Sequence, residues 1–568
     1  VTFTGIPGDL RFGAAVPVGP ETLDELFART AASCPDAPAV AGDGGALTYA
    51  ELDRRATAVA RYLRDRGIGT GDAVVVLTHR CGWLPAVATG VVRAGAVYVP
   101  VDATYPAERI GFILGDCEPA AVLTLGGATL PVDLAAELAE TGVVTATVTD
   151  ESPLGRAIVD GSADPAFRTA GPFSAAEQSR PVRATDPCYI IYTSGTTGTP
   201  KGAVNTHLGV TAHMLWMGRA LSGGTGGTEP APIRMLQKAP VSFDVGVGEL
   251  FGPLATGGTV VVPAPDWWPG DVDGMVRMIL GHDVTVLSMV PSLMRVLFDV
   301  LDDLDVPLST FAGVRHLIFG GEAVPGDLVR RSRTEIGCRV HGLYGPTETA
   351  MDVTWVEYTD ELVAAADFDD GASLLGVPED NVACYLVDEA GREIDPATPD
   401  GDAPGELYIA GPQVGAGYLN RPDLTAEAFL PSLHPDVDGG RMYRTGDVAA
   451  WTSVGGHRVL QFLGRIGDQV KIRGNRVELG EVEARLRGLP GVRRAAAVAV
   501  DEGGAQALAA FVVTESESGT GPDLPARLSA QLAAEVPEYM VPSRIVTVDD
   551  LPVSPNGKLD RRALAALL

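Results

Sequence analysis

At 568 residues, 46% of them hydrophobic and 20% charged, the chain can bury more than one core and is too apolar for general disorder. Its 43 Lys and Arg against 73 Asp and Glu leave a formal charge of −30. With no basic stripe in the sequence, that balance argues against a nucleic-acid partner and against attraction to anionic membranes. No apolar run approaches the ~18–20 residues of a membrane span. The six cysteines are scattered and form no CxxC, so they read as free thiols in a reduced, cytoplasmic protein without a structural metal. Val1 in place of a start methionine suggests a piece excised from a longer protein.

Taken in order, residues 1–20 are rich in Gly and Pro and read as a lead-in held to the surface. Thr22-Leu-Asp-Glu25 has the pattern of a capping box that opens a helix, and Thr48-Tyr-Ala-Glu51 repeats it. The second helix places Leu52, Ala56, Val59, Ala60 and Leu63 on one face and stops at Gly67. Strands then alternate with helices at 73–77, 120–125, 188–193, 259–262, 284–289 and 314–319, which implies parallel sheets covered by helices. Near Thr445 the sequence becomes dense in Gly, Asp and charged residues. Beyond it come a helix at 478–487, strands at 494–500 and 507–513, and a helix at 524–536. The expected fold is α/β. A large N-terminal domain of several subdomains, residues 1–466, precedes a small mobile α+β lid, residues 467–568, with a hinge at 466–468.

The most informative stretch is Tyr192-Thr-Ser-Gly-Thr-Thr-Gly-Thr-Pro-Lys-Gly202. A short apolar strand leads into it, and its glycines allow several backbone N–H groups to face one anion. The hydroxyls of Thr193, Ser194, Thr196 and Thr197 and the charge of Lys201 suit a polyphosphate. Pro200 before the lysine excludes a Walker A loop. Alone, such a run also fits a polar linker. Further motifs follow: Ala94-Gly-Ala-Val-Tyr-Val-Pro-Val-Asp102, Ser242-Phe-Asp-Val-Gly-Val-Gly-Glu249, Gly320-Gly-Glu-Ala323, Tyr344-Gly-Pro-Thr-Glu348, Gly405-Glu-Leu-Tyr408, Tyr443-Arg-Thr-Gly-Asp447, Gly464-Arg-Ile-Gly-Asp468 and Asn556-Gly-Lys-Leu-Asp560.

In this order the set resembles the adenylate-forming superfamily over nearly the whole chain, and within it the amino-acid adenylation domains of nonribosomal peptide synthetases. The resemblance implies ATP and Mg²⁺ as cofactors. Thr193, Ser194, Gly195, Thr196, Thr197 and Lys201 would grip the β- and γ-phosphates, beside Gly321 and Glu322. Tyr344 would stack on adenine, Thr347 would meet the α-phosphate, and Glu348 would be the metal ligand. Asp447, with Arg465, would hold the ribose, although a lone Gly-Asp more often marks a turn. Lys558 would enter from the lid as the catalytic cation. The family's hinge acid is replaced here by Gly467, whose wide φ/ψ range preserves a pivot. The implied partner is a carrier protein bearing phosphopantetheine, with an MbtH-like protein as a further candidate, although no carrier Asp-x-Gly-Gly-x-Ser pattern is present.

Asp244 matches the position that holds the α-amino group in the amino-acid-activating branch. By the same correspondence Val245, Gly248, Ser288, Ile318, Gly320, Leu343, Met351 and Asp352 line the substrate pocket, with Lys558. Gly248 opens depth, and Asp352 supplies a second carboxylate that a cationic side chain would pair with. The expected substrate is therefore basic (ornithine, lysine or arginine-like), with glutamine or an unusual amino acid next. The alternatives are an acyl- or aryl-CoA ligase and, of another class, a non-catalytic nucleotide-binding homologue.

Overall fold

The computed structural model describes residues 8–19, 21–42, 45–160, 180–195, 199–222, 233–268, 270–365, 368, 373–397, 402–502, 505–514, 523–552, 559 and 561–568. Both capping boxes form. Thr22 and Thr48 each accept the backbone N–H three residues on while Glu25 and Glu51 reach back, starting the helices Leu23–Ser33 and Tyr49–Arg64. The second helix buries Leu52, Ala56, Val59, Ala60 and Leu63, the face its sequence spacing specified.

The chain divides into two compact units. The first comprises Val1–Ala103, Asp116–Ile191 and Gly202–Gly464, and the second Thr104–Gly115, Tyr192–Lys201 and Arg465–Leu568. One sheet carries the strands Val97–Asp102, Ala73–Thr78, Ala121–Leu125 and Val144–Thr147, all parallel. A larger sheet of fifteen strands is parallel from Pro38–Gly42 through Thr259–Val262, Arg234–Leu236, Val286–Met289 and His316–Phe319 to Arg339–Tyr344. Among the described residues, the strands past Tyr344 in that sheet pair antiparallel. The sheets are thus parallel-rich as expected, with an antiparallel half that the strand–helix alternation did not specify. The cause is local: from Thr354 to Arg465 the strands are joined by turns and short helices rather than by helical crossovers, and only a crossover returns a strand in parallel. The lead-in is tied down at 8–19, with Gly13 N–H donating to the Val382 carbonyl (2.8 Å) and Phe12 packed edge-on against Tyr385.

In the second unit, Val492–Glu502 pairs antiparallel with Ala505–Thr514, which pairs parallel with Arg544–Thr547. Val482, Leu486, Ala497, Val512, Leu528 and Leu532 pack as its core. The hairpin Gln469–Ile472 and Asn475–Glu478 turns through Arg473 (φ +50) and Gly474 (φ +77), the paired left-handed residues of a type I′ turn.

All six cysteines are free. Five are buried, and burial pushes the thiols of Cys81, Cys188 and Cys384 up and those of Cys117 and Cys338 up to about 12. Among the described residues no helix is long and apolar enough to cross a membrane.

Gly474→Ala puts a Cβ on the left-handed residue of the turn and should cost ~1–2 kcal/mol. The expected result is a lower melting temperature with native circular dichroism. An unchanged midpoint would show that the turn relaxes freely.

Candidate active site

Three neighbouring parallel strands bring the predicted pocket residues together at one end of the large sheet, where open α/β sheets bind ligands. Ser288 and Ile318 stand opposite one another in register, and Ile318 in turn faces His341, two residues before Leu343. Gly320 follows the strand His316–Phe319. Asp244 opens the helix Asp244–Thr256 and is 8% exposed, while Val245 beside it is exposed. Burial pushes the Asp244 carboxyl up, and hydrogen bonds from the Thr347 side chain and the Val245 N–H (2.8 Å) act against that push. Thr347, expected on a phosphate, thus hydrogen-bonds the Asp244 carboxyl here. The depth expected at Gly248 is partly filled, because a Cβ built there would lie 3.2 Å from Met351 Sδ.

Asp244 and Asp352 both act on two buried groups. Each raises the Tyr189 phenol, after burial, and each favours the charged form of His213 against its burial. The Tyr189 hydroxyl is buried without a hydrogen-bond partner. Two carboxylates near enough to act on one buried, unpaired hydroxyl favour a ligand that brings positive charge and N–H donors.

The turn from Tyr344 to Asp352 carries residues assigned to both ligands. Tyr344 donates its hydroxyl to Asp447 Oδ2 at 2.5 Å, and the Asp447 N–H is held by Thr445 Oγ1 at 2.9 Å. Glu348 is 1% exposed and accepts the Tyr418 hydroxyl at 2.7 Å. Asn205 spans the turn, donating to the Thr347 carbonyl (2.8 Å) and accepting the Ala350 N–H (3.1 Å). Ala350 (φ +53) and Met351 (φ +84) are both left-handed, a strain of about 1–3 kcal/mol each that the surrounding bonds must hold. A Cβ on Gly345 would sit 1.8 Å from the Met351 carbonyl oxygen, so only glycine fits beneath the turn. Glu322, expected near nucleotide, instead caps the helix Pro291–Asp303 by accepting the Ser292 N–H (2.9 Å) and hydroxyl (3.0 Å); Gly321 before it has φ +79.

Within the second unit, the Ser194 hydroxyl donates to the Arg476 carbonyl (2.8 Å), and the Gly195 N–H to Glu481 Oε2 (3.3 Å). Glu481 also pairs with Arg109 at 3.1 Å. The Thr193 hydroxyl is buried without a partner. Lys201 and Arg465 both act to lower Glu478, whose pKa burial raises. Donors expected to meet phosphate are therefore shared with this unit's own carbonyl and carboxylate groups. Gly467 has φ +99, and Asp468 next to it is held by Arg561 at 2.7 and 2.9 Å. Thr196, Thr197 and Lys558 lie outside the described residues.

The residues that sequence reasoning missed are Asn205, His213, Glu379, Gln413 and Tyr418. They meet the site only through long-range packing. His213 alone left a trace, a histidine among Val210, Met214, Trp216 and Met217 on the helix His207–Ser222, which His207 opens.

Comparison with known proteins places this geometry. The profile described as AMP-binding enzyme matches residues 27–419, and that of the AMP-binding enzyme C-terminal domain matches 481–558. Tyrocidine synthase 3 of Brevibacillus parabrevis is 36% identical over 549 residues, 95% of this chain and 8% of that protein. Enterobactin synthase component F of Escherichia coli (strain K12) is 34% identical over 556 residues, 96% of this chain and 39% of that protein. The chain thus spans well under half the length of these curated relatives. Among solved structures, holo-PA1221, a nonribosomal peptide synthetase protein containing adenylation and PCP domains, aligns with a TM-score of 0.75 at 26% identity, over 97% of this chain and 84% of that one. The amide bond synthetase McbA from Marinactinospora thermotolerans aligns with a TM-score of 0.73 at 26% identity, over 95% and 99%. The chain belongs to the AMP-binding enzyme family, with the build of an adenylation domain.

Proposed function

We propose that the chain activates an α-amino acid with a basic side chain as its aminoacyl-AMP and passes the acyl group to the phosphopantetheine thiol of a carrier protein. The observation that carries this reading is that Asp244 and Asp352 act on the same buried Tyr189 and His213, and that the Tyr189 hydroxyl has no hydrogen-bond partner. Asp244, at the head of its helix and partly desolvated, takes the α-ammonium; a cation there returns the carboxyl to its charged form. Asp352 takes the distal cation of an ornithine, lysine or arginine-like side chain. The substrate carboxylate then attacks the α-phosphorus of ATP, the bond to the bridging oxygen breaks, and pyrophosphate leaves.

Tyr344 and Asp447 hold the nucleoside, and their mutual hydrogen bond orients the ribose-binding carboxylate. Glu348 suits Mg²⁺, which takes one or two carboxylates together with phosphate oxygens and water. Bound there, Mg²⁺ supplies charge neutralisation for the leaving pyrophosphate. Residues 1–466 act as the core and 467–568 as the lid that brings Lys558 to the reacting carboxylate. Gly467 is the pivot, which its open surroundings and the anchoring of Asp468 by Arg561 support. The carrier's thiol, losing its proton, attacks the acyl carbon and AMP leaves. An MbtH-like protein is a further candidate partner, and the site of action is the cytoplasm.

ATP–pyrophosphate exchange over a panel of ornithine, lysine, arginine, glutamine and serine, with aryl and fatty acids alongside, tests the reading. Exchange should be strongest with one basic amino acid. Asp352→Asn should lower its kcat/KM about tenfold to a hundredfold, the ~1.5–3 kcal/mol of a hydrogen bond to a charged group. Exchange confined to aryl or fatty acids would overturn the assignment of Asp244. Lys558→Ala should abolish exchange while ATP still binds by calorimetry, and retained exchange would remove Lys558 from the chemistry. Gly345→Ala displaces the turn beneath both ligands and should cut exchange ~100-fold in a protein that remains folded.

A further inference from the structure

Beside Asp352 lies a set of polar side chains that the nucleotide and amino-acid roles leave unused. His213 brings Nδ1 to 3.1 Å from Glu379 Oε2, and the main chain of Asp352 meets the same imidazole. Gln413 Nε2 donates to the Asp352 carbonyl at 2.7 Å and stands 3.4 Å from Glu379 Oε2. That carbonyl can only accept, so the amide nitrogen must face it and the Gln413 orientation is fixed. His213, Glu379 and Gln413 are 2%, 0% and 1% exposed.

The charge state follows from the surroundings. Asp244 and Asp352 pull the His213 imidazole up, but burial holds it down. Burial holds Glu379 well above the usual carboxylate range, and Asp380 adds to this while itself pairing with Arg219 at 2.6 Å. Burial thus works against charge on both partners of the contact, the Glu379 carboxyl and the His213 imidazole. Glu379 Oε1 and Gln413 Oε1 are both buried without a partner. An apolar trio of the same volume would be cheaper for stability alone.

We propose that His213, Glu379 and Gln413 are positioning residues for amino-acid selection: an uncharged, hydrogen-bonded brace that fixes the backbone of Asp352 and so sets where its carboxylate meets the substrate. The proposal rests on the reading of Asp352 as the acid that selects the side chain. Asp352 follows two left-handed residues and needs an outside hold. Asn205 supplies one at Ala350, before the strained pair is complete, and the brace supplies the other at Asp352 itself.

The test uses the full chain and compares kcat/KM in pyrophosphate exchange for the preferred basic amino acid with that for norleucine, an uncharged analogue of lysine. His213→Phe and Glu379→Leu should each lower this ratio at least tenfold. Glu379→Gln keeps an uncharged donor to Nδ1 and should hold the ratio within threefold. An unchanged ratio in folded His213→Phe would overturn the brace, as would Glu379→Gln proving as damaging as Glu379→Leu. If the wild type prefers an uncharged amino acid, the basic-substrate reading fails. The ratio is then taken between its best and next-best amino acids, and the brace stands only if His213→Phe still collapses it.

Melting temperature gives a readout that needs no activity. A carboxyl whose pKa is raised on folding loses stability as pH climbs past its unfolded value, so Glu379→Gln should melt higher than wild type at pH 8 and show no gain at pH 4. A lower melting temperature at pH 8 would mean that Glu379 is charged and would overturn the brace even if no amino acid is activated.

Discussion

The Asn205 carboxamide is the interaction on which the site depends. Its two ends are used on one turn, the amide nitrogen on the Thr347 carbonyl and the oxygen on the Ala350 N–H. Between and just beyond these points the backbone adopts two left-handed residues that would relax in isolation. Glu348 projects from one side of that turn, with Met351 and Asp352 following. The residues assigned to metal and nucleotide therefore share a short piece of backbone with those assigned to the substrate side chain. Neither group can shift without moving the other, so the reacting carboxylate and phosphate are registered by covalent geometry as well as by packing.

Electrostatics give this frame its selectivity. In a chain with a formal charge of −30, Asp244 and Asp352 both act on the buried His213, which also meets Glu379. Burial raises Asp244 and Glu379 alike, but their neighbours differ. Asp244 has the Thr347 side chain and the Val245 N–H to favour its charge. Glu379 has the His213 imidazole and the Gln413 carboxamide. Two buried carboxyl groups are thus set apart by their surroundings: one meets donors that favour its charge, the other an imidazole whose own charge burial disfavours.

Much of this was legible in the sequence because it is local. The capping boxes at Thr22 and Thr48 form as written, and the strands at 259–262 and 188–193 fall within a residue of expectation. The motif residues Ser288, Ile318 and Leu343 converge because consecutive parallel strands deliver them to one end of a sheet. What could not be read depends on pairings between distant segments. The antiparallel half of the large sheet has strands that alone resemble any other apolar run. Asn205, Gln413 and Glu379 are single polar residues whose partners lie tens to hundreds of positions away, and no periodicity marks them. The filling of Gly248's space by Met351 is likewise a matter of side-chain direction, which spacing does not encode.

The buried cysteines have a consequence for the chemistry. An aminoacyl-AMP is a mixed anhydride, and any thiolate within reach is a competing acceptor. The nucleophile is the deprotonated sulfur, so accessibility and acidity together decide how readily a protein acylates itself. Five of the six thiols here are both enclosed and held protonated by their apolar surroundings; only Cys34 is partly exposed. On the proposed reading, in which the product is meant for another molecule's sulfur, the chain's own thiols are in this way kept out of competition.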